Sequence, residues 1–146
     1  MSFSVFDRGD GHFDLMRGDA EIGWIANGAI GFAGFANAAG AHRGAAIAHD
    51  ALTGWLARQR RIDAAPRKAG ALRVRRNGVV EQLTLGGASV GRLFPHGGDS
   101  KGGGEYAFEL LLPPRVGASV SAAQVMYLAL MRHGLLAERV TGALIA

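Results

Sequence analysis

Residues 20 to 35 read AEIGWIANGAIGFAGF, and how they are taken decides the fold. Asn27-Gly28 stands between two apolar runs, and this pair is favoured in a two-residue type I′ turn because both central positions need a positive φ. With those two residues as the loop, Ile25 faces Ile30, Trp24 faces Gly31 and Gly23 faces Phe32. Each aromatic side chain then lies opposite a glycine, where its ring can cover bare backbone across the ladder. The glycines read as parts of a β-hairpin.

Upstream, His12 to Arg17 (HFDLMR) alternates weakly and reads as a first strand after a short tail. Downstream, Asn37 is placed to cap a helix, AAGAHRGAAIAHDALTGWLARQR, with Ala41, Ala45, Ala48, Leu52, Trp55 and Leu56 on one stripe. Gly40, Gly44 and Gly54 each cost about 1 kcal/mol relative to Ala in a helix interior, so packing must stabilise this element.

Residues 61 to 71, RIDAAPRKAGA, form a basic linker in which Pro66 and Gly70 interrupt any periodicity. The second half then repeats the hairpin device. In LRVRRNGVVEQLTL, Asn77-Gly78 is read as the turn, Leu72 faces Leu83, and Arg73, Arg75 and Gln82 share the opposite face. Gly86-Gly87 turns the chain into ASVGRLF, and EYAFELLLP follows, completing a four-stranded antiparallel meander. A last helix is expected to start at a Ser121/Gln124 capping box, with Val120 stapled on Val125, and to stop at Gly134. VMYLALM is apolar on every face, the mark of a helix buried on more than one side.

The halves echo one another: IGWI and an alanine-rich helix in the first, VGRL and YAFEL before an alanine-containing helix in the second. The expected fold is α+β, a single domain over 1–146 with an antiparallel sheet and two main helices on one face. Its repeat units, 12–61 and 71–134, are joined by the linker 61–71, and an internal duplication is the expected origin.

The size and composition of the chain fit that reading. Its 146 residues are 49% hydrophobic and 19% charged, enough for a core without staples. The absence of cysteine excludes disulfides, iron–sulfur ligation and thiol catalysis. The first residues do not resemble a secretory signal, and the longest apolar run, Val125 to Met131, is far below the ~20 residues of a membrane span. A cytoplasmic protein without a membrane partner is expected.

The net charge of +4 is unevenly spread. Residues 58 to 76 hold Arg58, Arg60, Arg61, Arg67, Lys68, Arg73, Arg75 and Arg76 against Asp63 alone, whereas residues 1 to 57 carry three basic groups against six acidic ones. Arg58, Arg60 and Arg61 suit the C-terminal end of a helix. Together with Arg67, Lys68 and the arginines of the following strand they form the candidate nucleic-acid or anion-binding strip.

Other chemistry finds little footing. PHGGDSKGGGE, residues 95 to 105, has the glycine spacing of a P-loop, but Gly103 and Gly104 stand where Lys and Ser or Thr are needed, and a strand follows where a helix should. It is read as a connection between strands, with residues 97–104 able to order on a partner. His42 and His49 share a helix face, yet Ala45 and Ala46 lie between them, so no metal and no cofactor are expected. No serine sits in a Gly-x-Ser-x-Gly elbow, and the five acids near the start need no role beyond a solvated face.

The leading expectation is therefore a non-enzymatic binding or interaction module that self-associates through the second helix or the C-terminal tail, its acidic and basic regions pairing across a dimer or recruiting an acidic protein partner. The first alternative is a nucleic-acid-binding protein using the arginine strip. A second is small-ligand capture between sheet and helices, lined by Trp24, Phe32, Trp55, Tyr106 and Phe108.

Overall fold

In the chain's computed structural model we describe residues 3–60, 72–77, 80–96, 105–112 and 119–136. Eight strands and two helices follow in the order β1 (Phe3–Gly9), β2 (His12–Arg17), β3 (Ala20–Ala26), β4 (Ala29–Phe35), α1 (Ala38–Arg60), β5 (Arg73–Asn77), β6 (Val80–Leu85), β7 (Ala88–Pro95), β8 (Tyr106–Leu111) and α2 (Ser119–Arg132). The strands form one antiparallel sheet in the order β1-β2-β3-β4-β8-β7-β6-β5. Two meanders thus meet at their fourth strands, and both helices pack on one face, an α+β fold.

The opening hairpin has the expected register: Ile25 pairs with Ile30, Trp24 with Gly31 and Gly23 with Phe32. Asn27 and Gly28 take φ of 53° and 74°, as the turn requires. The indole of Trp24 lies over Gly31 so closely that a Cβ there would collide with it.

Two readings of the strands change. The residues before His12 are a strand: in β1, half-buried Phe3 and Val5 alternate with exposed Ser4 and Phe6, and Phe3 packs on Tyr127 of α2 with ring centroids 4.7 Å apart. That partner is far away in sequence, which is why the local pattern looked like a tail. In the β5–β6 hairpin the register is shifted by two: Asn77 pairs with Val80, and Leu83 faces Val74 instead of Leu72. A shift of two leaves every side chain on its own face, so alternation alone cannot tell these registers apart.

The meanders match closely. Leu15 pairs with Gly23 and Leu83 with Gly91, Met16 with Glu21 and Thr84 with Ser89, each residue of the second pair lying 68 positions after its counterpart. The register shift falls at the same place in both, and the turns that follow use Gly18 and Gly86 at φ of 59° and 58°. The equivalence is geometric and does not by itself establish descent by duplication.

Helix α1 begins as its cap dictates, with the Gly40 N–H donating to Asn37 Oδ1 at 2.8 Å. Its stripe of Ala41, Ala45, Ala48, Leu52 and Trp55 is buried. Gly44 is required by close approach, since a Cβ there would stand 2.7 Å from the Phe35 ring and 3.3 Å from that of Phe108. Helix α1 lies on β8, β4 and β7, and α2 on α1, β1 and β3. The core between these layers includes Leu15, Ile30, Phe32, Leu83, Leu93, Phe108, Leu110, Met126 and Leu130.

Helix α2 starts at Ser119, two residues before the expected cap, so Ser121 sits inside its first turn. Val120 is 38% exposed and forms no buried staple, and Leu128 is 51% exposed, so the helix keeps one solvent face. Its end is as expected: the Leu135 N–H donates to the Leu130 carbonyl and that of Gly134 to Met131, both at 3.0 Å, with Gly134 at φ 74°. No described helix is long and apolar enough to cross a membrane, which says nothing of a β-barrel.

Candidate recognition surface

Because side chains alternate across a strand, the residues between the core positions project from the face opposite the two described helices. Following the ladder from strand to strand gives one row across this outer face: Phe6, Asp14, Trp24, Gly31, Glu109, Arg92, Gln82 and Arg75. The pairing that joins the halves is Gly31 with Glu109.

Glu109 organises the middle of the row. Trp24 Nε1 donates to its Oε2 at 2.6 Å, and Arg92 Nε donates to its Oε1 at 3.0 Å. The guanidinium of Arg92 stands 4.4 Å above the centre of the Phe94 ring. Trp24 meets His96 at 4.8 Å and Phe94 at 5.9 Å between ring centroids, and Phe94 meets His96 edge-on at 6.0 Å. Ala33 and Ala107 form the floor beneath these rings, with only 3% and 0% of their surface accessible. Small residues at the centre are what let aromatics from β3 and β7 converge across two intervening strands.

The ends of the row differ. At one end the buried carboxylate of Asp14 accepts a hydrogen bond from Arg8 Nε, and this bond and charge hold the Arg8 guanidinium above its usual pKa. Phe6, beside it, is 60% exposed. At the other end Arg75, with Arg73 two residues away on the same face, is exposed, and neither has an ion-pair partner among the described residues.

The sequence-derived sites fall as follows. Of the arginine strip, Arg58 is exposed near the end of α1, on the helix side of the sheet, whereas Arg73 and Arg75 are on the outer face. Arg61, Arg67 and Lys68 lie outside the described residues, as do the side chains of Arg60 and Arg76. Of the five aromatics proposed for one pocket, Phe32 and Phe108 are fully buried in the core and pack together at 5.8 Å, while Trp55 is nearly buried and Tyr106 half-buried. Trp24 is on the other side of the sheet, so the five do not line one space. The glycine-rich residues 97–104 are likewise outside the description, but they connect β7 to β8 as expected, with the His96 N–H donating to the Glu105 carbonyl at 2.9 Å.

His42 and His49 do come together, in a cleft of about 340 Å³ beside α1 that also involves Arg43, Asp50, Leu72 and Leu85. His42 Nε2 is engaged with the Leu72 carbonyl at 2.7 Å, and burial pushes the His49 pKa down, partly opposed by Asp50. Among the described residues no three His, Cys, Asp or Glu side chains converge as metal ligands.

Sequence reasoning missed Phe94, His96, Arg92 and Glu109. Their link to Trp24 depends on the β4–β8 pairing, which no local pattern announces; the available signal was the run of small residues Gly31, Ala33 and Ala107 facing aromatics. Compared with protein-family models, curated proteins and solved structures, the chain has no significant match in any of the three, so the functional reading rests on this geometry.

Proposed function

We propose that this chain is a non-enzymatic binding module that holds single-stranded nucleic acid on the outer face of its sheet. The observation that carries the reading is the outer row, where an aromatic cluster sits beside Arg92 and leads to the exposed Arg73 and Arg75. Bases have flat faces that stack on such rings irrespective of sequence, and guanidinium groups take the phosphates. A cytoplasmic setting belongs to the same proposal.

The test is fluorescence anisotropy of a labelled single-stranded oligonucleotide, titrated with protein at rising salt. The expected result is binding that weakens steadily with salt and is tighter for the single strand than for the duplex of the same sequence. No binding at low salt contradicts the reading.

Self-association through α2 is a second reading, favoured by the exposed Val120 and Leu128 on that helix. Light scattering would then give a dimer mass that Leu128→Lys reduces to the monomer; a wild-type monomer removes this reading and leaves the first intact. Of the C-terminal tail 135–146, the other proposed contact, residues 137–146 lie outside the described residues.

A further inference from the structure

Resting on the reading above, we infer that the nucleic-acid strand crosses the sheet along the outer row, perpendicular to the β-strands, with its bases stacked at the Trp24–His96–Phe94 end and its phosphates held at the Arg75 end. The direction follows from where compatible groups lie. Beyond Trp24 the row continues to Asp14, whose carboxylate is already engaged by Arg8, with exposed Glu21 nearby on β3, so among the described residues that end of the outer face offers phosphates no unpaired cation. Beyond Glu109 it continues through Arg92 and Gln82 to Arg75, with Arg73 alongside. A track parallel to the β-strands would join no aromatic group to Arg73 and Arg75.

The same geometry sets the footprint. From β3 to β5 the row makes five inter-strand steps, which at about 4.8 Å each spans about 24 Å. At the ~3.4 Å rise of stacked nucleotides this accommodates about seven, and fewer where the backbone is stretched. Glu109 is a positioning residue on this track: one oxygen holds the indole flat over Gly31 and the other keeps Arg92 against Phe94.

The experiment uses the full chain, oligothymidylates of increasing length and the emission of the two tryptophans. Trp55→Phe leaves Trp24 as the sole emitter, and Trp24→Phe leaves Trp55, which is nearly buried in the core. Affinity is expected to climb up to about seven nucleotides and then level off. Binding should quench the Trp24 emission and leave that of Trp55 unchanged. Trp24→Ala should weaken binding about ten-fold through lost stacking, with circular dichroism confirming the fold; if that variant does not fold, the two emission measurements still decide. Binding that leaves Trp24 emission unchanged, or affinity that keeps climbing steeply far beyond seven nucleotides, overturns the track while leaving nucleic-acid binding in place. Absence of binding at every length overturns both.

Discussion

The two halves of the sheet share a backbone and differ in chemistry. Trp24 on β3 and Arg92 on β7 occupy equivalent places 68 residues apart, as do Asp14 and Gln82, while Gly31 and Glu109 face each other where the halves join. On the inner face the equivalent positions stay apolar: Leu15 and Leu83, Ile25 and Leu93. The helices constrain that face to similar residues on both sides. The outer face carries no described helix, and there Asp14 and Trp24 of one half stand where the other half has Gln82 and Arg92. The difference separates the face that packs under the helices from the face where the two halves diverge.

Core truncation is the strongest way to test that separation. Phe108→Ala, opposite Phe32 at the centre of the sheet, should cost about 3–5 kcal/mol in chemical denaturation, and Phe32→Ala a similar amount if the halves contribute alike. A loss below about 1 kcal/mol for either would mean that the two sides of the central pair are not equivalent. Next comes Gly31→Val on the outer face, which drives a side chain into the Trp24 indole and should cost about 1–3 kcal/mol as overpacking. It should also release the bond from Trp24 to Glu109, visible as a shift in tryptophan emission; an unchanged spectrum would show that the indole does not depend on the glycine.

Asn37→Ala removes the acceptor for the Gly40 N–H and should lower stability by about 1 kcal/mol, with helical content at the α1 start reduced. Glu109→Gln keeps an acceptor for the indole and removes the charge partner of Arg92. The freed arginine should steepen the salt dependence of single-strand binding by about 0.7 in log–log slope; an unchanged slope would mean that Arg92 stays engaged elsewhere. The smallest effect is that of His49. Its folded pKa lies below the ordinary 6.5, so the unfolded chain binds more protons in that window. Stability should therefore decline as pH falls from about 6.5 to the lowered folded value and then level off. The decline should be absent in His49→Asn; an identical pH profile in that variant would refute the assignment.

Much of the fold was legible because its signals are local. Asn27-Gly28 set the first hairpin, the alanine stripe marked the buried side of α1, and Gly134 marked the end of α2. β1 was not legible because its inner residue Phe3 packs on Tyr127 of α2, far away in sequence. The β5–β6 register was not legible because alternation is blind to a shift of two. The candidate site was legible in part. Arg73 and Arg75 were placed on the right face by alternation, and Trp24 was paired with the right glycine. Its assignment to a pocket under the helices did not follow the same alternation, which puts it opposite Phe32's face. The aromatic cluster as a whole required knowing that β4 lies beside β8, an antiparallel pairing between distant segments.

Whether the proposed ligand meets the outer face or the helix side can be read from the salt dependence of single-strand binding in two variants. Arg73→Gln with Arg75→Gln removes two phosphate contacts from the outer face, and Arg58→Gln removes a charge from the helix side. The double variant should bind more weakly with a log–log slope shallower by about 1.4, while Arg58→Gln should keep the wild-type slope. A slope flattened by Arg58→Gln and unchanged by the double variant would contradict the outer-face placement.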